Sequence, residues 1–358
     1  MLGRPRCPTF HREERDKRDV HNQDGHALLF VCRIKKVIFS ACELGIFDLL
    51  TAPPCALTAQ QVAVSCNASV GGTERLLDAL VGMELLHVET QEDGTALYSN
   101  SEVASMYLAK GGAKSLHHVA IYRSQTGYQL WNNLADAVRE GKNQYQKAFG
   151  IPPEEVFQAI YRSDKDMLKF MSLMNSCWVL DGHDVVMAFS LAGFRDIVDL
   201  GGCTGALARE MTKAYPSSSV TVFDMPAVVE MARKYFLQAD DTFAFQSGDF
   251  FHDELPVADL YVLARIIHDW SEDKCVNLLK RICDVCRPGG GVLLVEATLL
   301  ESRRGPVHTQ LLSLNMLLQT EGRERPASQY AGLLRRSGFR DVQVCRTGKT
   351  YDAILALK

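Results

Sequence analysis

The spacing of apolar residues divides the chain into stretches of different period. From Leu28 to about Lys110 apolar positions recur at helical spacing through KKVIFSACELGIFDLL, LTAQQVAVSC and GGTERLLDALVGMELLHVE, and Glu92, Asp93 and Gly94 then mark a turn between two short strand-like runs. Residues 113–193 are again helical in period, through LWNNLADAVREG, PPEEVFQAIYRS and DMLKFMSLMNSCWVL, with Pro152 and Pro153 where a helix would begin. After Phe194 strands and helices alternate: DIVDLGG, ALAREMTKAY, SVTVFDM, AVVEMARKYF, DLYVLARII, SEDKCVNLLKRICDVC and GVLLVEATLL. This α/β alternation predicts a parallel sheet with helices on both faces. The closing segment DVQVCRTGKTYDAILALK reads as two strands joined by a tight turn at Gly348 and Lys349, an antiparallel hairpin at one side of the sheet.

Four parts follow. Residues 1–25 have no hydrophobic period and read as a disordered tail. Residues 26–112, helices followed by a hairpin, have the outline of a winged helix; residues 113–193 form a helical connector and one wall of a pocket; residues 194–358 form the α/β domain. Winged helices often read DNA. Here the candidate recognition helix sets Glu74, Asp78 and Glu84 against Arg75 alone, a face that repels phosphate and leaves dimerisation as the reading.

Composition narrows the partners. A formal net charge of -4 gives no footprint for nucleic acid. No apolar run reaches the roughly 18–20 residues of a membrane span, and the first residues lack the apolar core of a secretion signal, so a cytoplasmic protein without a membrane partner is expected. Eleven cysteines at irregular spacing suit buried thiols rather than a disulfide framework. Cys283-x-x-Cys286 has no second ligand pair at comparable spacing, so both read as plain residues of a helix ending at Pro288 and Gly289, with no metal.

In an open α/β sheet ligands bind at the carboxyl ends of the strands. The first such turn runs Val198-Asp199-Leu200-Gly201-Gly202-Cys203-Thr204-Gly205. A nicotinamide-binding G-x-G-x-x-G starting at Gly201 would need glycine at Cys203 and Ala206, so that reading is disfavoured. D-x-G-x-x-x-G instead resembles an S-adenosylmethionine turn, in which glycine lets the backbone approach the ligand. Asp224 ends the next strand, where a carboxylate accepts from ribose hydroxyls; the alternative is a cap for the helix after Pro226. The third strand ends in Gly248, Asp249 and Phe250, an acceptor and an aromatic face for adenine.

The fourth strand brings Arg265, His268, Asp269 and Trp270 to the same edge. A histidine beside a methyl donor has a use: a phenolic hydroxyl, pKa about 10, needs a nearby neutral imidazole to take its proton as the oxygen attacks. Glu296, ending the fifth strand, and Glu324 in GRER are candidates to orient that base. In LLSLNMLLQTEGRER, Asn315 and Gln319 lie one helical turn apart, either facing substrate or bonding to neighbouring backbone.

Between Lys36 and Lys358 the ordered segments FSACELGIFDLL, LADAVREGKNQY, AFGIP, AIYRS, DLGG, GDFF, ADLYVLARIIHDW, RPGGG, SLNMLLQTEGRER and YDAILALK are similar to the plant-type hydroxyindole, caffeate and flavonoid O-methyltransferases. The resemblance implies a Rossmann-like S-adenosylmethionine-dependent catalytic domain, a winged-helix dimerisation domain, an intertwined homodimer and no metal. It implies His268 as base flanked by Glu296 and Glu324, with Asp269, Asn315 and Gln319 on substrate. For the cofactor it implies Tyr161, Trp178, Gly201, Asp224, Gly248, Asp249, Phe250 and Arg265; Tyr161 and Trp178 otherwise read as core aromatics. The implied acceptor is a hydroxyindole, N-acetylserotonin above all, with melatonin as product; the alternatives are another phenol or catechol, or a catalytically silent dimerising relative. The chain departs from the family's usual DLGGGSG turn at Cys203 and Thr204, and GHALLFVCRIKKVIF stands where the family has roughly YANGFMVSKVIF.

Overall fold

The computed structural model describes residues 25–152, 157 and 160–358. Apart from Gly25, the segment read as a tail lies outside these residues, as do Pro153, Glu154, Glu155, Val156, Gln158 and Ala159 of PPEEVFQAIYRS. The chain divides into two compact units, residues 1–105 and 106–358.

In the first unit α1 (Gly25–Glu43) stops at Gly45, whose φ of 71° ends a right-handed helix, and the single turn α2 (Ile46–Leu49) follows. Thr58 and Gln61 form a capping box on α3 (Ala59–Ser65), and Ser69 caps α4 (Val70–Gly82). Strands β1 (Leu86–Thr90) and β2 (Ala96–Asn100) pair antiparallel across the expected turn, where Asp93 Oδ1 accepts from the Thr95 N–H at 2.8 Å and Gly94 takes a φ of 83°. Asp78 is not a free surface charge: its Oδ1 accepts from the Tyr98 hydroxyl at 2.8 Å, tying α4 to the hairpin.

The second unit opens with short helices, including a π-helical turn at Arg123–Gly127, and then the long α5 (Asp164–Val186), capped by Ser163. Its sheet contains β3 (Asp196–Leu200), β4 (Ser219–Asp224), β5 (Ala244–Ser247), β6 (Leu260–Ala264), β7 (Gly291–Glu296), β8 (Arg340–Cys345) and β9 (Asp352–Leu357), in the order β5-β4-β3-β6-β7-β9-β8. Strands β3 to β7 are parallel, whereas β9 is antiparallel to both its neighbours, β7 and β8. The last strand therefore enters between β7 and the edge strand.

Alternation decides which layer each residue joins. In β6, Tyr261 and Leu263 pack with α8 (Glu272–Val285) and α10 (Ala327–Arg336), while Leu260 and Val262 pack with α5 and α6 (Ala206–Ala214) on the other face. The hairpin needs one correction. Residues 346–351 form a longer link than a tight turn, because side chains take over its hydrogen bonds: Arg346 Nη1 donates to Asp352 Oδ2 at 3.1 Å, and Asp352 Oδ1 accepts from the Thr347 N–H at 3.2 Å. Among the described residues no helix is long and apolar enough to cross a membrane.

Candidate active site

Two turns at the carboxyl edge, after the adjacent strands β3 and β6, build the site. In the first, Gly201, Cys203 and Gly205 take φ values of 74°, 53° and 75°. Glycine is required here largely by the protein's own packing: a Cβ would come within 2.5 Å of Ile266 Cδ1 at Gly201 and 2.5 Å of Asp199 Oδ2 at Gly202. Asp224 holds the turn, its Oδ2 accepting from the Cys203 N–H at 2.8 Å and its Oδ1 from the Met225 N–H at 2.8 Å. It makes no side-chain cap on α7 (Pro226–Tyr235), so the capping alternative fails. Thr204 is buried and donates to Asn175 Oδ1 at 3.1 Å; Cys203 faces the neighbouring cavity.

That cavity, of about 740 Å³, gathers Tyr161, Trp178, Gly201, Asp224, Gly248, Asp249, Phe250 and Arg265, all eight residues expected for the cofactor, together with Asp269. The 113–193 segment contributes Phe157, Phe170 and Met174 beside Tyr161 and Trp178. Sequence reasoning singled out neither Asp199 nor the Phe157 and Phe170 rings. Asp199 was visible as the carboxylate opening the glycine turn, but the two rings carry no local signal.

Three acidic groups in the wall differ in state. Burial, then the charge of Asp224, pushes Asp199 up to about 7; burial also pushes Asp224 up to about 6, against its two backbone N–H bonds. Asp199 Oδ2 is buried without a partner. Burial opposes ionisation of Asp249 too, but hydrogen bonds from His252 and the Phe251 N–H outweigh it and hold the carboxyl below its usual value. The opposite charge lacks a carboxylate: Arg265 Nη1 reaches Met174 Sδ at 2.9 Å and Cys177 Sγ at 3.5 Å, the guanidinium lies 5.5 Å from the Tyr351 ring centre, and its buried Nε has no hydrogen-bond partner. A wall offering an unsatisfied carboxylate, an unsatisfied guanidinium and several aromatic faces fits a zwitterionic ligand bearing a purine.

The second turn is filled by the protein itself. After β6, Arg265 takes a φ of 61° and the chain forms a short 3-10 helix at Ile267–Asp269. Glu296 Oε1 accepts from the Ile266 and Ile267 N–H groups at 3.2 and 2.8 Å, while Arg325 donates to the Ile267 and Trp270 carbonyls at 3.0 and 3.1 Å. Gly322 lies so close that a Cβ there would overlap the His268 carbonyl.

His268 is thereby fixed, 3% exposed, among three carboxylates. Its Nδ1 lies 2.7 Å from Glu324 Oε1 and 3.5 Å from Glu296 Oε2; Nε2 lies 3.6 Å from Asp269 Oδ1, too far for a hydrogen bond. A carboxylate only accepts, so Nδ1 carries the proton in the neutral ring and Nε2 keeps its lone pair on the side of Asp269. Burial lowers the histidine's pKa, but the charges of Glu324, Glu296 and Asp269 outweigh it and raise the net value. Glu324 is thus the orienting partner and Glu296 chiefly a clamp on the turn.

Not every expected residue reaches the cavity wall. Asp269 does; His268, Glu296, Glu324, Asn315 and Gln319 do not. On α9 (Val307–Gln319), Asn315 Oδ1 accepts from Trp131 Nε1 at 3.0 Å, and Gln319 Oε1 lies 3.3 Å from the Tyr122 hydroxyl. Cys283 and Cys286 are buried within the α8 core, where burial raises both thiols. Among the described residues His268, Glu296 and Glu324 alone bring three ligating atoms within 4.8 Å, and two of those side chains are already engaged with each other.

A cavity fitted to a charged, purine-bearing ligand, with a clamped imidazole behind the Asp269 of its wall, suits group transfer, which is methyltransferase chemistry. Known proteins agree. The O-methyltransferase domain model matches residues 131–340 and the O-methyltransferase dimerisation domain model residues 27–110, and the chain belongs to this O-methyltransferase family. It is 51% identical to acetylserotonin O-methyltransferase of Gallus gallus over 326 residues, 91% of this chain and 94% of that protein. The Homo sapiens acetylserotonin O-methyltransferase is 50% identical over the same shares. The crystal structure of human N-acetylserotonin methyltransferase in complex with SAM superposes with a TM-score of 0.90 at 48% identity, covering 98% of this chain and 99% of that one.

Proposed function

We propose that this protein transfers a methyl group from S-adenosylmethionine to the hydroxyl of N-acetylserotonin, giving melatonin, with His268 as general base. The observation that carries the reading is the imidazole clamped by Glu324 at 2.7 Å, next to an Asp269 that lines the ligand cavity. About 50% identity to acetylserotonin O-methyltransferases along nine-tenths of the chain supports the substrate.

When bound, S-adenosylmethionine supplies an electrophilic methyl group on a positively charged sulfur. Asp224 would hold the ribose: each of its oxygens already accepts one N–H but keeps a second lone pair. Asp249 and Phe250 would meet the adenine and Arg265 the carboxylate, filling its unsatisfied guanidinium. His268 Nε2 would take the proton of the acceptor hydroxyl, and Glu324 would favour the resulting imidazolium. Tyr161 and Trp178 close the cavity with apolar surface that excludes water.

The active form would be a homodimer in the cytosol. Phe30, Val31 and Ile34 lie on one face of α1, 45%, 44% and 45% exposed, within the segment matched by the dimerisation domain. Calorimetric titration with S-adenosylmethionine, followed by product analysis on N-acetylserotonin, tests the whole reading. Saturable binding and an O-methylated indole are expected; binding without product would remove the acceptor assignment, and no binding would remove the enzyme.

A further inference from the structure

The link between β8 and β9 is longer than a tight turn, and it lies against α5. Lys349 Nζ is 3.8 Å from Asp184 Oδ2, Asp181 is within hydrogen-bonding reach of Thr350, and Thr347 Oγ1 donates to the Tyr351 carbonyl at 2.5 Å. This docking carries the Tyr351 side chain into the interior, beside two residues of the cofactor cavity. Its ring centre lies 5.4 Å from that of Trp178 and 5.5 Å from the guanidinium carbon of Arg265. Trp178 and Arg265 line the cavity, whereas the buried Tyr351 stands behind them.

A buried guanidinium that serves a ligand has to be held without being neutralised. The charges of Asp269 and Glu324 reach Arg265, and Asp269 lines the same cavity, yet neither carboxylate is within ion-pair distance. From α5 the guanidinium meets the sulfur atoms of Met174 and Cys177. An aromatic face attracts a cation through its quadrupole and carries no net charge, so it can fix the guanidinium while leaving the positive charge for a ligand carboxylate. The Tyr351 hydroxyl keeps to that part. Burial is the largest influence on it and raises its pKa, so it stays protonated and neutral.

We infer that Tyr351 is a positioning residue for Arg265: from behind the cavity wall its ring holds the guanidinium by a cation–π contact, aims it at the carboxylate of S-adenosylmethionine and keeps it from pairing with Asp269. The inference rests on the reading of Arg265 as the contact for that carboxylate. It gives the link between β8 and β9 a part in cofactor affinity.

Decarboxylated S-adenosylmethionine keeps the adenosine, the sulfonium and the ammonium and lacks only the carboxylate, so its affinity beside that of S-adenosylmethionine isolates the contact. Both are measured by calorimetry on the full-length protein. The unaltered protein should bind S-adenosylmethionine about tenfold more tightly than the decarboxylated ligand. Tyr351→Phe, which keeps the ring, should leave that ratio within about twofold. Pentafluorophenylalanine at the same position is close in shape but reverses the ring quadrupole. It should weaken S-adenosylmethionine roughly five- to tenfold and leave the decarboxylated ligand within about twofold, which also reports an intact fold. Equal loss of both ligands, an unmoved ratio, or the full loss already in Tyr351→Phe overturns the inference. An unaltered protein that binds both ligands equally removes the Arg265 assignment and this inference with it; one that binds neither removes the cofactor reading as a whole. A clear preference for the carboxylate that fluorination does not move removes the inference alone.

Discussion

The turns after β3 and β6 are neighbours at one edge of one sheet, and both carry a non-glycine residue in the left-handed region, Cys203 and Arg265. They differ in how many hydrogen bonds the protein itself makes to them, although both leave some buried polar atoms unpaired. Around the β3 turn a buried Asp199 oxygen has no partner and two raised carboxyls stand close together; across the cavity the Arg265 guanidinium lacks a carboxylate. Around the rest of the β6 turn, Glu296 takes two backbone N–H groups, Arg325 two carbonyls and Glu324 the histidine. Buried polar groups left unsatisfied cost free energy that a ligand can return, so the first turn is a socket. The second is held in one geometry by those bonds, although Glu296 Oε2, Glu324 Oε2, Arg325 Nε and Trp270 Nε1 are also buried without partners, so it is a mount for a base.

If the β6 turn is the mount, its defects should fall on turnover before they fall on cofactor binding. His268→Gln should lower kcat by about a thousandfold while S-adenosylmethionine affinity stays within about twofold; unchanged turnover would end the role of base. Gly322→Ala drives a Cβ into the His268 carbonyl and should cost about 1–3 kcal/mol in urea unfolding, with turnover lost in the residual folded protein. Normal stability and rate would show that the turn yields.

Glu324→Gln should slow the plateau rate about tenfold and shift its pH dependence. The carboxylate charges, Glu324 first among them, raise His268 above the value that burial alone would give. A base with a raised pKa is neutral only at higher pH, so removing Glu324 should move the rising limb of kcat down by about one pH unit or more. An upward shift would reverse the electrostatic account. The same raised value stabilises the fold below the unfolded histidine pKa and is lost as pH rises through the folded one, so the variant should lose stability most in mild acid.

The socket predicts the smallest effect, with the opposite sign. Asp199 is raised to about 7, so its burial penalty in the ligand-free protein grows as pH climbs from its ordinary range toward that value. Asp199→Asn should raise the ligand-free Tm by about 2 °C or more at pH 8, leave it unchanged near pH 4, and weaken S-adenosylmethionine binding. A lower Tm at pH 8 would mean the carboxylate is satisfied after all.

Much of the site was legible because strand ends are legible. Short apolar runs mark β3, β4 and β6, and the residues closing these strands and β5, Gly201, Asp224, Gly248, Asp249 and Arg265, meet in one cavity because parallel strands end at one edge. Tyr161 and Trp178 were reached only through family resemblance, since an aromatic on a helix has the same local pattern whether it lines a cavity or fills a core. The hairpin was legible as two strands, but not the insertion of β9 between β7 and β8 or the length of its link, which depend on Asp352 bonding to Arg346 and Thr347.

The sequence by itself determined the order of elements, the sheet's two-faced alternation and the residue types gathered at its edge, because period and turn chemistry are local properties. Only the tertiary structure decided what each polar atom does: that Glu324 rather than Glu296 holds the histidine, that Asp199 is left unpaired, and that Trp131 and Tyr122 hydrogen-bond to the α9 amides. Those outcomes join residues up to 197 positions apart, and a hydrogen bond is made or lost within a few tenths of an ångström. Only packing fixes distances that closely.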